Sequence, residues 1–126
     1  MKYYMVIEDD DIDILIIERM IKMVETSINS VTFKDGEAAI NFLQEILNRQ
    51  VIKPEFILLD LMMPIVNGFE FLEMYEKLIY PFMSEVPVII LTTSLHADDK
   101  EIAMSYSFVK EFILKPLDRN KILEFV

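Results

Sequence analysis

Four polar groups interrupt the apolar runs of this chain: Glu8-Asp9-Asp10-Asp11, the single Asp60, Thr92-Thr93-Ser94, and Lys115-Pro116. Three carboxylates drawn close together cannot all stay ionised without a cation. A cluster rich in oxygen and free of Cys and His suits a hard ion that keeps some of its waters, and Mg2+ is the natural choice. A lysine beside such an ion balances a further anion, and a threonine hydroxyl offers that anion a hydrogen bond. Carboxylates, Mg2+, Lys and Thr together handle a phosphoryl group. Each residue alone has a plainer reading as a solvated loop residue or a helix cap, with Asp11 able to cap the first helix. The case for chemistry rests on all four groups together.

The elements between them explain why they would meet. Residues 2–7 (KYYMVI), 30–33 (SVTF), 56–60 (FILLD), 86–91 (VPVIIL) and 111–114 (EFIL) read as strands. Residues 12–24, 37–48, 68–79, 98–105 and 117–126 carry helical spacing or helix-start signals, and Lys34-Asp35-Gly36 is a turn before the second helix. Nothing in the run FILL alternates, so that strand is expected to be buried on both faces. Five strands alternating with five helices imply βαβ units: an α/β doubly wound parallel sheet with helices on both faces. Ligands of open parallel sheets bind outside the carboxyl ends of the strands. Glu8, Asp60, Thr92 and Lys115 stand at those ends, along one sheet edge.

Composition narrows the function. The 126 residues make one domain, 53% apolar and 27% charged, which is a globular composition. No apolar run is long enough to span a membrane. MKYYMVIEDD meets acids too early for a signal peptide, so a cytoplasmic protein is expected. The absence of Cys excludes disulfides and thiol chemistry. A net charge of −10 argues against direct nucleic-acid binding. The single histidine, His96, reads as a solvated loop residue, and the nine methionines as core filler.

The ordered set of motifs resembles the receiver domain of two-component response regulators, of the chemotaxis-regulator type, over essentially all 126 residues. The likeness is carried by Glu8 and Asp9 after the first strand and by Asp60 with Pro64 and Gly68 following it. Thr92 after the fourth strand, Lys115-Pro116 after the fifth, and GEAAI (Gly36 to Ile40) at the second helix complete it. The resemblance implies a flavodoxin-like sheet of order 2-1-3-4-5, with residues 1–126 forming one receiver domain. It implies that Asp60 is the nucleophile that becomes an aspartyl phosphate, taking the phosphoryl group from a sensor histidine kinase or phosphotransfer protein. Asp9 and Asp60 would bind Mg2+, Glu8 would reach it through a water, and Met62 would supply its backbone carbonyl. Thr92 and Lys115 would hold phosphoryl oxygens. The Lys115–Pro116 bond would be cis. Thr92 and Phe112 would form a switch biasing a partner surface on the fourth helix, fifth strand and fifth helix, where an output domain or effector binds. For Phe112, plain packing at the sheet edge is the competing reading.

Several positions depart from the family pattern. Glu8 stands where Asp is commoner, and the run of acids also allows Asp9 and Asp10 as the pair, although the family spacing favours Glu8 and Asp9. Thr93 is bulkier than usual, and Glu111 stands where Gly often precedes the aromatic. Met62 and Ser94 lack an acid or amide to orient a hydrolytic water, which implies a long-lived phosphoryl group. An Mg2+-dependent phosphatase would want a second Asp at the Met62 position. A nucleotide or flavin binder would want a Gly-rich loop where Glu8 to Asp11 stand. The expected protein is thus a signalling module that catalyses only its own phosphorylation and dephosphorylation, alone or as part of a larger regulator.

Overall fold

A computed structural model describes residues 2–63 and 66–126. Five strands run β1 (Tyr3–Ile7), β2 (Asn29–Phe33), β3 (Ile57–Leu59), β4 (Val88–Thr92) and β5 (Val109–Leu114). Between and after them run α1 (Asp11–Val24), α2 (Gly36–Arg49), α3 (Gly68–Leu78), α4 (Ala97–Met104) and α5 (Arg119–Leu123). All strand pairs are parallel, in the order β2-β1-β3-β4-β5. The expected sheet, strand order and alternation are all present.

Alternate strand residues feed two cores. Met5, Ile7, Ile57, Leu59, Val88 and Ile90 pack with Leu43 of α2, Phe71 of α3 and Ala103 of α4. Tyr4, Val6, Leu58, Ile89 and Leu91 pack with Ile14, Ile17 and Ile21 of α1 and Ile122 of α5. The central strands are therefore apolar on both faces, which is why their sequences do not alternate. Each fully buried Leu or Ile contributes about 1.5–3 kcal/mol of transfer free energy. That rigid apolar foundation is what fixes the polar residues at the strand ends.

Boundaries differ from the sequence expectation for local reasons. β4 starts at Val88 rather than at residue 86, since Pro87 has no N–H to give, although its carbonyl accepts from Ile57 N at 3.0 Å. β5 starts at Val109, because a register shift opposite Val88 and Ile89 extends the pairing around Lys110. α5 spans Arg119–Leu123 and is capped by Asp118, whose side chain accepts from Lys121 N. The cap of α1 is Asp10 and not Asp11: its side chain accepts from the N–H groups of Ile12 and Asp13. A 3₁₀ turn at Tyr80–Phe82, containing Pro81, follows α3. Of the aromatics there, Tyr75 is buried and Tyr80 half-buried, both against Phe108, while Phe82 is exposed.

Candidate functional site

The parallel register brings the polar residues to one edge. Ile7 pairs with Leu59, and Asp60 N donates to Ile7 O at 3.0 Å, so Glu8 and Asp60 leave neighbouring strands side by side. Glu8 is held from the other side by its N–H donating to Phe33 O at 2.9 Å. Leu59 pairs with Ile90 and Thr92 with Leu114, which carries the edge on to Thr92 and Lys115.

Glu8, Asp9 and Asp60 each offer a carboxylate oxygen within 4.8 Å of the others. Glu8 and Asp60 are buried and Asp9 is exposed, so the cluster opens to solvent on the Asp9 side. Two like charges about 4 Å apart repel by about 4 kcal/mol at an effective dielectric of about 20. Lys115 relieves part of this. Its ammonium lies 2.6 Å from Glu8 Oε2, 2.8 Å from Asp13 Oδ2 and 3.6 Å from Asp60 Oδ2. The first two are hydrogen bonds, and the third is an ion pair without one.

Burial pushes the Glu8 carboxyl up to about 7; the Lys115 hydrogen bond opposes this and the charge of Asp60 adds to it. For Lys115, burial works against the charged form. The hydrogen bonds to Asp13 and Glu8 and the charges of Asp60 and Glu8 outweigh that, so its ammonium is held above the ordinary range. The donor set, carboxylate oxygens alone, matches what a hard divalent cation takes.

The remaining expected residues are placed as follows. Thr92 is fully buried, and its hydroxyl accepts from Ser94 N at 3.3 Å. The Lys115–Pro116 peptide bond is cis. Met62 is 61% exposed beside the acids, and its N–H donates to Asp60 Oδ1 at 3.2 Å, which orients that carboxylate. Phe112 is half-buried opposite Ile90 and lines a groove of about 410 Å³ with Leu95, Lys100 and Lys121. His96 is exposed at the start of α4 and bonds no helix N–H through its side chain. Pro64 lies outside the described residues.

Gly68 begins α3 against the Asp60 backbone. A Cβ there would meet Leu61 Cα at 2.5 Å and Asp60 O at 2.7 Å, so only glycine lets the helix start this close to the acid.

Two contacts have no counterpart in the sequence expectation. Asp13, in the first turn of α1, reaches Lys115; an acid at that position reads as an ordinary partner of the helix dipole. Ser94 Oγ donates to Asp99 Oδ2, tying the residue after Thr93 to the first turn of α4.

Comparison with known proteins bears on this arrangement. Residues 4–126 match the family described as "Response regulator receiver domain". Response regulator Rcp1 of Synechocystis sp. is 30% identical over 128 residues, covering 99% of this chain and 84% of that protein. A two-component response regulator from Cytophaga hutchinsonii superposes with a TM-score of 0.85 at 30% identity, covering 98% of this chain and 92% of that one. A structure of the Mn(2+)-bound form of Rcp1 superposes with a TM-score of 0.79 at 26% identity, over 99% of this chain and 89% of that one. One of the phosphorylated cyanobacterial phytochrome response regulator RcpA does so with 0.74 at 26%, over 98% and 86%.

Proposed function

Because the chain belongs to the response regulator receiver-domain family, we propose that it accepts a phosphoryl group on Asp60 and passes the change to a partner surface. One observation carries the reading: Glu8, Asp9 and Asp60 converge within 4.8 Å, with the Lys115 ammonium 3.6 Å from Asp60. A histidine kinase or a phosphotransfer protein, acting in the cytoplasm, presents a phosphohistidine. An Asp60 carboxylate oxygen attacks phosphorus, the P–N bond breaks, and the imidazole leaves with the bonding pair. The product is an acyl phosphate on Asp60.

Glu8, Asp9, Asp60 and the backbone carbonyl of Met62 would hold Mg2+, with Glu8 acting through a water. The ion supplies charge neutralisation for the entering phosphoryl group. Met62 N–H and the buried wall of β3 keep Asp60 in one orientation. Lys115 and the Thr92 hydroxyl each bind a phosphoryl oxygen, and Thr92 then gives up Ser94 N. That exchange, together with Phe112, biases the face of α4, β5 and α5 toward its effector or output domain. Residues 1–126 act as one receiver unit that catalyses only its own phosphorylation and dephosphorylation.

The test is intact mass after incubation with acetyl phosphate, with and without Mg2+, on wild type and Asp60→Asn. The expected result is a single phosphoryl adduct that needs both Mg2+ and Asp60. A folded wild-type protein that takes no adduct under any condition overturns the phospho-acceptor role.

A further inference from the structure

The Lys115 ammonium has three N–H donors, and two of them are committed, to Glu8 Oε2 and Asp13 Oδ2. Glu8 belongs to the three-carboxylate cluster that suits a cation, whereas Asp13 does not. A divalent ion entering the cluster, even one that reaches Glu8 through a water, draws on the same carboxylate as Lys115, and it has no such contest for Asp13.

The local geometry explains why Asp13 is available. With Asp10 as the cap of α1, Asp13 is the third helical residue, where an acid commonly reaches back to the N–H of the cap. Here the Asp10 N–H is already taken, donating to Glu8 Oε1 at 3.1 Å. The Asp13 carboxylate therefore turns outward to Lys115, across 102 residues of sequence. Its side chain is 34% exposed, against 3% for Glu8, so solvent as well as Lys115 reaches it.

Accepting the reading of the acid cluster as a divalent-cation site, we infer that Asp13 is a positioning residue for Lys115. It is the counter-anion that keeps the ammonium in place when Glu8 is surrendered to the cation. Without it, Lys115 leans wholly on Glu8 and Asp60 and resists the incoming ion. Asp13 thus raises cation affinity without being a ligand.

A double-mutant cycle read by calorimetric titration with MgCl2 tests this. Asp13→Asn is expected to weaken Mg2+ binding roughly three- to tenfold in the wild-type background and less than about twofold in Lys115→Met. Asp13→Glu should recover most of the loss, and thermal melts of each variant establish that the fold is kept. Equal losses in both backgrounds would mean that Asp13 acts only as a nearby charge, and would overturn the inference. So would no loss in either background, or a wild type that binds no Mg2+. Coupling between Asp13 and Lys115 in a protein that takes no phosphoryl adduct would leave this inference standing and sink the phospho-acceptor reading instead.

Discussion

The backbone N–H of Lys115 donates to the carbonyl of Thr92 at 2.9 Å, so these two residues are joined through the main chain and not through their side chains. Their spacing survives substitution of either side chain. Thr92→Ala is therefore expected to leave Lys115 in place and to remove one hydrogen bond to the phosphoryl group. A bond worth about 1.4 kcal/mol corresponds to about a tenfold slower reaction. The rate of adduct formation from acetyl phosphate, followed by intact mass, checks this, and adduct must still form.

Cation binding should depend on pH through Glu8. Burial lifts its carboxyl from an ordinary 4.5 to about 7. A raised acid stabilises the fold fully below about 4.5, and this contribution is lost as pH rises through about 7. Lys115 stays charged across that window, since its own shift is upward. Mg2+ must displace the Glu8 proton, so its apparent affinity should rise roughly tenfold between about pH 6 and about pH 8. Melting temperatures with and without Mg2+ should show a larger gain at the higher pH. An equal gain at both would contradict the assignment of Glu8.

The phosphoryl group should be slow to hydrolyse. Met62 stands exposed beside Asp60 and carries no group that can orient water. Decay of the adduct after removal of acetyl phosphate is expected to be slow in wild type. In Met62→Glu, with a base placed there, it should be about tenfold faster or more. Identical decay would show that water reaches the phosphoryl group by another route.

Gly68→Ala tests the close approach of α3 to the site. The added methyl would collide with Leu61 Cα and Asp60 O, both main-chain atoms that cannot rotate away. A loss of about 2 kcal/mol or more is expected, read as a lower urea midpoint with an unchanged slope. Phosphorylation should slow as well, because the displaced atom belongs to Asp60.

The acids, the threonine and the lysine were legible because a buried parallel strand announces its own end: FILL is apolar and Asp60 is not. The sheet was legible from the same runs. Asp13 was not, since its partner lies on the last strand's exit and an acid in a first helical turn already has a reason to be there. The choice of Asp10 over Asp11 as cap depends on where the backbone leaves the extended conformation, which four polar residues in a row do not reveal. The start of β5 depends on a register shift against β4, a property of the pair rather than of either strand.

Glu8 and Lys115 touch although 107 residues separate them, one following the second strand in spatial order and the other the outermost strand. A chain still emerging during synthesis, with β5 not yet added, would hold Glu8, Asp9 and Asp60 together with no ammonium among them. Its acid cluster would be self-repelling until the final strand docks. On the proposed reading of Asp60, phosphoryl transfer therefore waits for β5, because Lys115 joins the three carboxylates only once that strand has docked.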